Sequence, residues 1–260
     1  MSQHRKTARA VILAAGVGRR LGSQEDRPKI LLEFGGRTLL QRHLDALKAC
    51  GVQDISITVG FAHELIEAEV ARLGWSDCVR FVYNPRYHEG SLVSLWAQSD
   101  LLRADEPVLL MDGDVLYEPG MIDRLVHAPG ENILLVDREI EPGDEPVKIC
   151  FYQGRIVDFR KRPEHAHDWH GESVGFFRFS AGMAAALADR CAAHLAADGA
   201  GLEYEEAIRD LILAHPDRFS ACDVTDLPWI EIDFEADVVR ARTDVLPQLR
   251  ASEPEKPERP

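Results

Sequence analysis

The sequence predicts one α/β domain built on a mixed, mostly parallel sheet flanked by helices. Three observations predict it. Residues 10 to 15 (AVILAA) form a short, continuous apolar run that ends in glycine, the pattern of a strand buried on both faces. The strand-like runs ISITV (55–59), VRFVY (79–83) and PVLLM (107–111) alternate with helix-period segments, and strand and helix in turn mean parallel pairing. After Pro119 the rhythm changes: NILLV, VKICFY, RIVDF and SVGFFRF follow with fewer helices between them, so antiparallel strands enter the second half.

The individual elements follow from local chemistry. Thr38 can cap a helix whose apolar positions Leu39, Leu40, Leu44 and Leu47 fit the helical period, and Gly51 sits where that helix would stop. Further helices are expected over His63 to Leu73, Ser91 to Leu102, an alanine-rich stretch near 181–197, and 204–214. The expected organisation is a flexible N-terminus over 1–8, the domain over 9–245, and a disordered tail over 246–260, where PEKPERP is charged, rich in proline and unable to bury a core.

Composition narrows the function. With a formal net charge of −14 over 260 residues, the chain is not a general binder of nucleic acid or anionic membrane, whereas a small anionic substrate with a metal ion is compatible. Five scattered cysteines show no C-x-x-C pair and read as reduced core residues. The N-terminus MSQHRKTAR carries no apolar targeting segment and no run approaches 18 apolar residues, so a cytoplasmic location is expected. Oligomeric state is not legible.

The first strand runs into LAAGVGRRLGSQEDRPK (13–29). A Walker A loop is excluded, because no Lys-Ser or Lys-Thr follows the glycines. The dinucleotide fingerprint also fails by one residue: Gly16, Gly18 and Gly22 make G-x-G-x-x-x-G, and the second strand ends at Val59-Gly60 without a ribose-binding acid. A hydride-transfer enzyme is therefore disfavoured. What remains is a loop whose backbone N–H groups can approach a phosphate, with Arg19, Arg20 and Lys29 as cations around it, or else a tight βα turn with surface arginines.

The pattern L-A-A-G-x-G-x-R-L followed by P-K resembles the signature of the nucleotidyltransferases with a Rossmann-like (GT-A-like) fold, which include the sugar-1-phosphate, phosphocholine and inositol-phosphate enzymes. Leu13, Ala14, Ala15, Gly16, Gly18, Arg20, Leu21, Pro28 and Lys29 carry the match. The resemblance implies that the loop backbone meets a nucleotide and that Arg20 and Lys29 hold its triphosphate.

Two acidic stretches bear on a metal. PVLLM runs into DGDVLY, placing Asp112 and Asp114 at the carboxyl end of a central strand; WIEIDFEADV (229–238) carries Glu231 and Asp233 ahead of a helix. Alone, D-G-D is turn chemistry. The resemblance implies that Asp114 and Asp233 hold Mg²⁺, with Asp112 at the nucleotide and Glu231 near the metal or the acceptor; oxygen ligands suit that ion.

NPRYHEGSLVSLW (84–96) is similar to the asparagine-then-S-L segment of the phosphocholine cytidylyltransferase branch, and the G-T-A-x-A element of the sugar enzymes is missing. By that analogy CTP is the expected triphosphate and phosphocholine the first choice of acceptor. A phosphonate such as 2-aminoethylphosphonate, an inositol phosphate or a sugar-1-phosphate remain alternatives, as does a nucleotide sensor without catalysis. For the acceptor site the candidates are Lys161, Glu172, Tyr204, Trp229 and Glu231, with Trp96, Tyr117 and Trp169 as further rings for a cationic head group and Glu203 and Glu205 as counter-charge. The His165, His167 and His170 run reads as a polar loop, since no second ligand set matches it.

Overall fold

The computed structural model describes residues 8–18, 27–140 and 145–252, so residues 1–7 of the expected N-terminal arm, Arg19, Arg20, Leu21 and the last residues of the tail lie outside the described residues. Strand β1 (Arg9–Ala14) is followed by a hairpin of two-residue strands, β2 (Glu33–Phe34) and β3 (Arg37–Thr38), and by helix α1 (Leu39–Ala49). Thr38 caps α1 as its sequence position predicts, its hydroxyl accepting from the Gln41 N–H at 3.1 Å. Leu39, Leu40, Leu44 and Leu47 are fully buried beneath the helix.

Next come β4 (Ile55–Val59), α2 (His63–Arg72), β5 (Val79–Tyr83), α3 (Ser91–Trp96) and α4 (Ser99–Leu102). The single helix expected over 91–102 is thus two. Gln98 occupies the break: its amide is buried, accepting from Ser56 Oγ and donating to Thr58 Oγ1, both at 2.9 Å. The chain continues through β6 (Val108–Asp112), β7 (Val115–Tyr117), α5 (Gly120–His127), β8 (Asn132–Asp137), β9 (Lys148–Tyr152), β10 (Arg155–Arg160) and β11 (Trp169–Phe179). Helices α6 (Ala181–Ala196) and α7 (Tyr204–Ala214), strands β12 (Phe219–Asp223) and β13 (Trp229–Glu231), and helices α8 (Glu235–Arg240) and α9 (Leu246–Ser252) complete it.

In the main sheet β5, β4, β1 and β6 are parallel, and β11 joins β6 antiparallel. Strand β11 then forks the sheet. Its first residues pair with β9, which carries β10, while its other edge pairs with β8, which carries β12. Successive residues of the central strands enter two cores: Ile12, Leu109, Met111 and Phe176 pack on one face, Val11, Leu110 and Phe177 on the other. Burial on both faces is the physical reason AVILAA lacks polar alternation. Strands β4 and β6 lie on opposite sides of β1, so the loop after Ala14 leaves the sheet where the strand order reverses, the place at which open α/β sheets bind ligands.

The short strands β2, β3 and β7, helix α5 and strand β12 have no counterpart among the elements expected from the sequence. The domain also ends later than the expected boundary at 245. Helix α9 reaches Ser252, and Leu246 and Leu249 are buried in the same core as β1, so this part of the expected tail is folded. The five cysteines are free thiols, and among the described residues no helix is long and apolar enough to cross a membrane.

Candidate active site

A cleft of about 620 Å³ opens at the carboxyl ends of β1 and β6 and is lined by Leu13, Ala15, Gly16 and Gly18 of the glycine loop. Pro28 precedes a single 3₁₀ turn, Lys29–Leu31, that buries Ile30 and Leu31 and leaves the Lys29 side chain directed into the cleft. Gly18 has φ +65, and a Cβ there would meet Lys29 Cγ at 3.0 Å, so the glycine lets the lysine stem pass under the loop.

The D-G-D element sits where β6 gives way to a turn. Asp112 is the last residue of β6; Asp114 follows in the turn to β7, which pairs antiparallel with β13. That ribbon brings the two ends of the chain's acidic pattern together: Ile232 N donates to Asp114 O at 3.0 Å, and Asp237 of α8 accepts from the N–H groups of Asp233 and Phe234. Carboxylate oxygens of Asp114, Glu231 and Asp233 consequently lie within 4.8 Å of one another. Glu231, expected beside the metal or at the acceptor, belongs to the same carboxylate cluster as the two expected ligands.

Lys29 is tied into this cluster. Its Nζ donates to Asp114 Oδ2 at 2.9 Å and to Asp233 Oδ1 at 2.7 Å. Burial opposes its charge, but the two aspartates outweigh burial and hold its pKa above the ordinary lysine value. The lysine expected at the triphosphate therefore stands between the expected metal ligands, and the cation it places there shows that these oxygens accommodate positive charge. Three carboxylates and no nitrogen or sulfur donor make a set that suits a hard divalent ion such as Mg²⁺.

Asp112 is held differently. Tyr204 Oη donates to Asp112 Oδ2 at 2.6 Å, and Gly175 of β11 faces it at φ +77. A Cβ on Gly175 would come within 2.2 Å of Asp112 Oδ2, so only glycine fits. Burial, Asp114 and Glu205 push the Asp112 carboxyl well above its usual range; burial and Asp112 likewise raise Tyr204, which stays a hydroxyl donor.

Behind the turn lies His43 of α1, fully buried, with Nε2 3.2 Å from Gly113 O and Nδ1 3.2 Å from Tyr117 Oη. A carbonyl only accepts, so Nε2 carries the proton and Nδ1 accepts from Tyr117. Burial lowers the His43 pKa to about 4, keeping the ring neutral. No motif pointed to His43; its one signal is a polar residue on the buried stripe of an amphipathic helix.

The acceptor-side candidates Lys161, Glu172, Tyr204, Trp229 and Glu231 all line the cleft. Trp229 donates from Nε1 to Asp137 Oδ2 at 2.8 Å, and Lys161 Nζ lies 3.0 Å from Glu145 Oε2. The other rings do not line it. Trp169 is stacked on Phe151 at 4.0 Å with the Arg138 guanidinium over it, Tyr117 packs against His43 and Phe176, and Trp96 is exposed on α3. Tyr87 and Phe234, which the sequence reading passed over, do line it.

Lys161 is carried by a loop with a buried anchor. Asp158 accepts from Arg209 Nε at 2.6 Å, from the N–H groups of Glu164 and His165, and from His165 Nδ1, and these bonds outweigh burial to hold its pKa well below the usual carboxylate value.

A parallel sheet whose switch-point loop, lysine and paired aspartates converge in one cleft defines a nucleotide-handling α/β protein. The chain belongs to the MobA-like NTP transferase domain family, whose model matches residues 10–217. It is 30% identical over 243 residues to the CMP-5'-(3-aminopropyl)phosphonate synthase of Streptomyces rubellomurinus, covering 88% of this chain and 37% of that protein. It is 29% identical to the bifunctional IPC transferase and DIPP synthase of Rubrobacter xylanophilus, covering 95% of this chain and 55% of that protein. The chain thus spans roughly a third to a half of these two relatives. It is also 22% identical to the CTP:phosphoglutamine cytidylyltransferase of Campylobacter jejuni, over 88% of this chain and 97% of that one.

Solved structures share the fold. The CTP:phosphocholine cytidylyltransferase of Streptococcus pneumoniae superposes with a TM-score of 0.71 at 20% identity, covering 90% of this chain and 97% of that chain. The inositol-1-phosphate CTP transferase of T. maritima gives 0.73 at 19% identity, covering 96% and 98%.

Proposed function

We propose that this protein is a cytidylyltransferase that moves CMP from CTP to the phosphate or phosphonate of a small molecule carrying a positive charge, with release of pyrophosphate. The observation that carries the reading is the convergence of Lys29, Asp114 and Asp233 beside the glycine loop, at the edge where α/β sheets bind nucleotides. CTP is favoured by the segment 84–96 and by the relatives whose names specify it.

The acidity of the cleft supports a cationic acceptor. Among the described lining residues twelve are Asp or Glu, against Lys29 and Lys161. An acceptor that brings only negative charge meets like charge there, whereas one with an ammonium group is attracted. Phosphocholine and the aminoalkylphosphonates meet that requirement; inositol phosphate and sugar-1-phosphates do not.

In the reaction an acceptor oxygen attacks the α-phosphorus of CTP in line, a new P–O bond forms, and the bond to the β-phosphate oxygen breaks. The acceptor is already ionised at neutral pH, so positioning and charge neutralisation suffice without a general base. Asp114 and Asp233, with Glu231 beside them, would hold Mg²⁺, which supplies charge neutralisation to the phosphates when bound. Lys29 neutralises the triphosphate, the loop backbone from Leu13 to Gly18 orients the nucleotide, and Lys161 offers a cation to the acceptor.

The test is pyrophosphate release with Mg²⁺, pairing each of the four ribonucleoside triphosphates with phosphocholine, 2-aminoethylphosphonate, inositol phosphate and glucose-1-phosphate. Turnover confined to CTP and the two cationic acceptors is expected. Turnover with glucose-1-phosphate alone would refute the acceptor class, and CTP binding without turnover would make the protein a sensor.

A further inference from the structure

Glu205 is the second residue of α7 and lines the cleft. Its Oε2 is buried and has no hydrogen-bond partner among the described residues. An orphaned buried carboxylate oxygen is costly unless something donates to it, and this one belongs to a residue that lines the cleft. Its neighbours do not supply the donor. Tyr204 spends its hydroxyl on Asp112, Lys161 is paired with Glu145, Arg160 reaches Glu206, and Ser91 Oγ donates to Glu203 Oε2 at 2.5 Å. The rings at this end of the cleft are also committed at their polar ends, Tyr204 to Asp112 and Trp229 to Asp137.

We propose that Glu205 is the ammonium-binding residue of the acceptor subsite, and that the acceptor carries a primary amine rather than a quaternary ammonium at the end remote from its phosphorus. The inference rests on the cytidylyltransferase reading and refines it. The reason is the missing donor. A primary ammonium has three N–H groups and can satisfy Glu205 Oε2 directly; a trimethylammonium has none and leaves that oxygen orphaned behind three methyl groups. A quaternary head group is instead served by a wall of ring faces; Trp96, Tyr117 and Trp169 lie outside the cleft lining, and of the rings that do line it, Tyr87, Tyr204, Trp229 and Phe234, none donates to the orphaned Glu205 oxygen. The first choice of acceptor read from the sequence, phosphocholine, is thereby placed behind an acceptor with the same phosphate and a free amine.

Burial raises the Glu205 pKa to about 7, with Glu203 and Glu206 adding to the shift and Lys161 and the residue's own N–H opposing it. An arriving ammonium favours the ionised form, so a bound amine turns a strained carboxyl into a charge-assisted pair.

The experiment measures kcat/KM for pyrophosphate release with CTP and Mg²⁺ along one series: phosphoethanolamine, its N-methyl and N,N-dimethyl forms, and phosphocholine. The series changes only the number of N–H donors and methyl groups. Expected is a fall with each methyl, with phosphocholine at least tenfold below phosphoethanolamine, and a Glu205→Gln variant in which the ratio between the two ends drops towards one, chiefly through the KM of the amine. Equal or better turnover of phosphocholine overturns the proposal while leaving the cytidylyltransferase reading intact. If no member turns over, that reading fails at this step, and calorimetric titration of phosphoethanolamine into the CTP-loaded protein decides the subsite: no binding, or binding unchanged in Glu205→Gln, overturns it. A thermal melt of Glu205→Gln confirms the fold, and Glu205→Asp, which keeps the charge on a shorter stem, is expected to retain part of the discrimination.

Discussion

Lys29 and Asp233 are 204 positions apart in the chain, and their side chains meet at 2.7 Å with Asp114 completing the bridge. That pair ties the segment after the first strand to the segment after the last at the cleft edge of the sheet, because Lys29 follows β1 and Asp233 follows β13.

Removing either aspartate breaks the cluster. Asp114→Ala and Asp233→Ala are each expected to lower kcat by about a hundredfold or more while leaving the far-ultraviolet circular dichroism unchanged, in line with the loss of one preorganised electrostatic contact. Chelation of divalent ions is expected to abolish turnover in the unaltered protein. Near-normal pyrophosphate release in either variant would remove these residues from the mechanism.

Lys29→Ala takes the counter-charge from two carboxylates that face one another. We expect kcat/KM for CTP to fall by about a hundredfold, roughly 3 kcal/mol, and the melting temperature to drop as well. An unaltered rate would make Lys29 a structural pin only.

Asp158 is inaccessible to solvent and Arg209 nearly so. Asp158→Ala leaves the guanidinium facing a hole, and the expected loss is about 3–5 kcal/mol in urea unfolding, the cost of stranding one partner of a buried ion pair. Arg209→Ala should cost a similar amount. A loss under about 1 kcal/mol in both would mean that water compensates the pair.

His43 makes acid stability predictable. Its pKa is about 4 when folded and 6.5 in its ordinary state, so between those values the unfolded chain binds the extra proton. Its contribution is complete above pH 6.5 and declines as pH falls towards 4, by roughly 3 kcal/mol in total. Glu205, raised to about 7, has the opposite slope from its ordinary 4.5 upward and masks part of this. The measurement is therefore a difference: urea midpoints of the unaltered protein minus those of His43→Gln, from pH 7 to pH 4. The difference should shrink as pH falls; a flat difference would show that folding does not lower the His43 pKa.

Gly175→Ala places a methyl group 2.2 Å from Asp112 Oδ2 at a φ of +77. Strain at that φ costs about 1–2 kcal/mol, and displacement of Asp112 from Tyr204 adds to it. Both stability and turnover should fall, and the Tyr204→Phe variant should reproduce the turnover loss without the backbone strain. If Gly175→Ala is as active as the parent, Asp112 does not need its present position.

Much of the fold was legible because burial writes itself into periodicity. The run at 10–15 is apolar throughout because β1 is covered on both faces, and the α1 stripe at Leu39, Leu40, Leu44 and Leu47 marks the side that packs down. The chain's own order of residues also determined the glycine loop, Lys29 and the two acidic stretches, since a motif is local and its spacing survives without a structure. Other features were decided only by tertiary structure. The β7–β13 ribbon sets Glu231 beside Asp114 and Asp233; the fork of β11 brings Gly175 against Asp112; and the packing of α7 leaves Glu205 Oε2 without a donor among the described residues. Each depends on pairing between segments far apart in the chain, where distance, register and desolvation are set by the whole core and no local pattern records them.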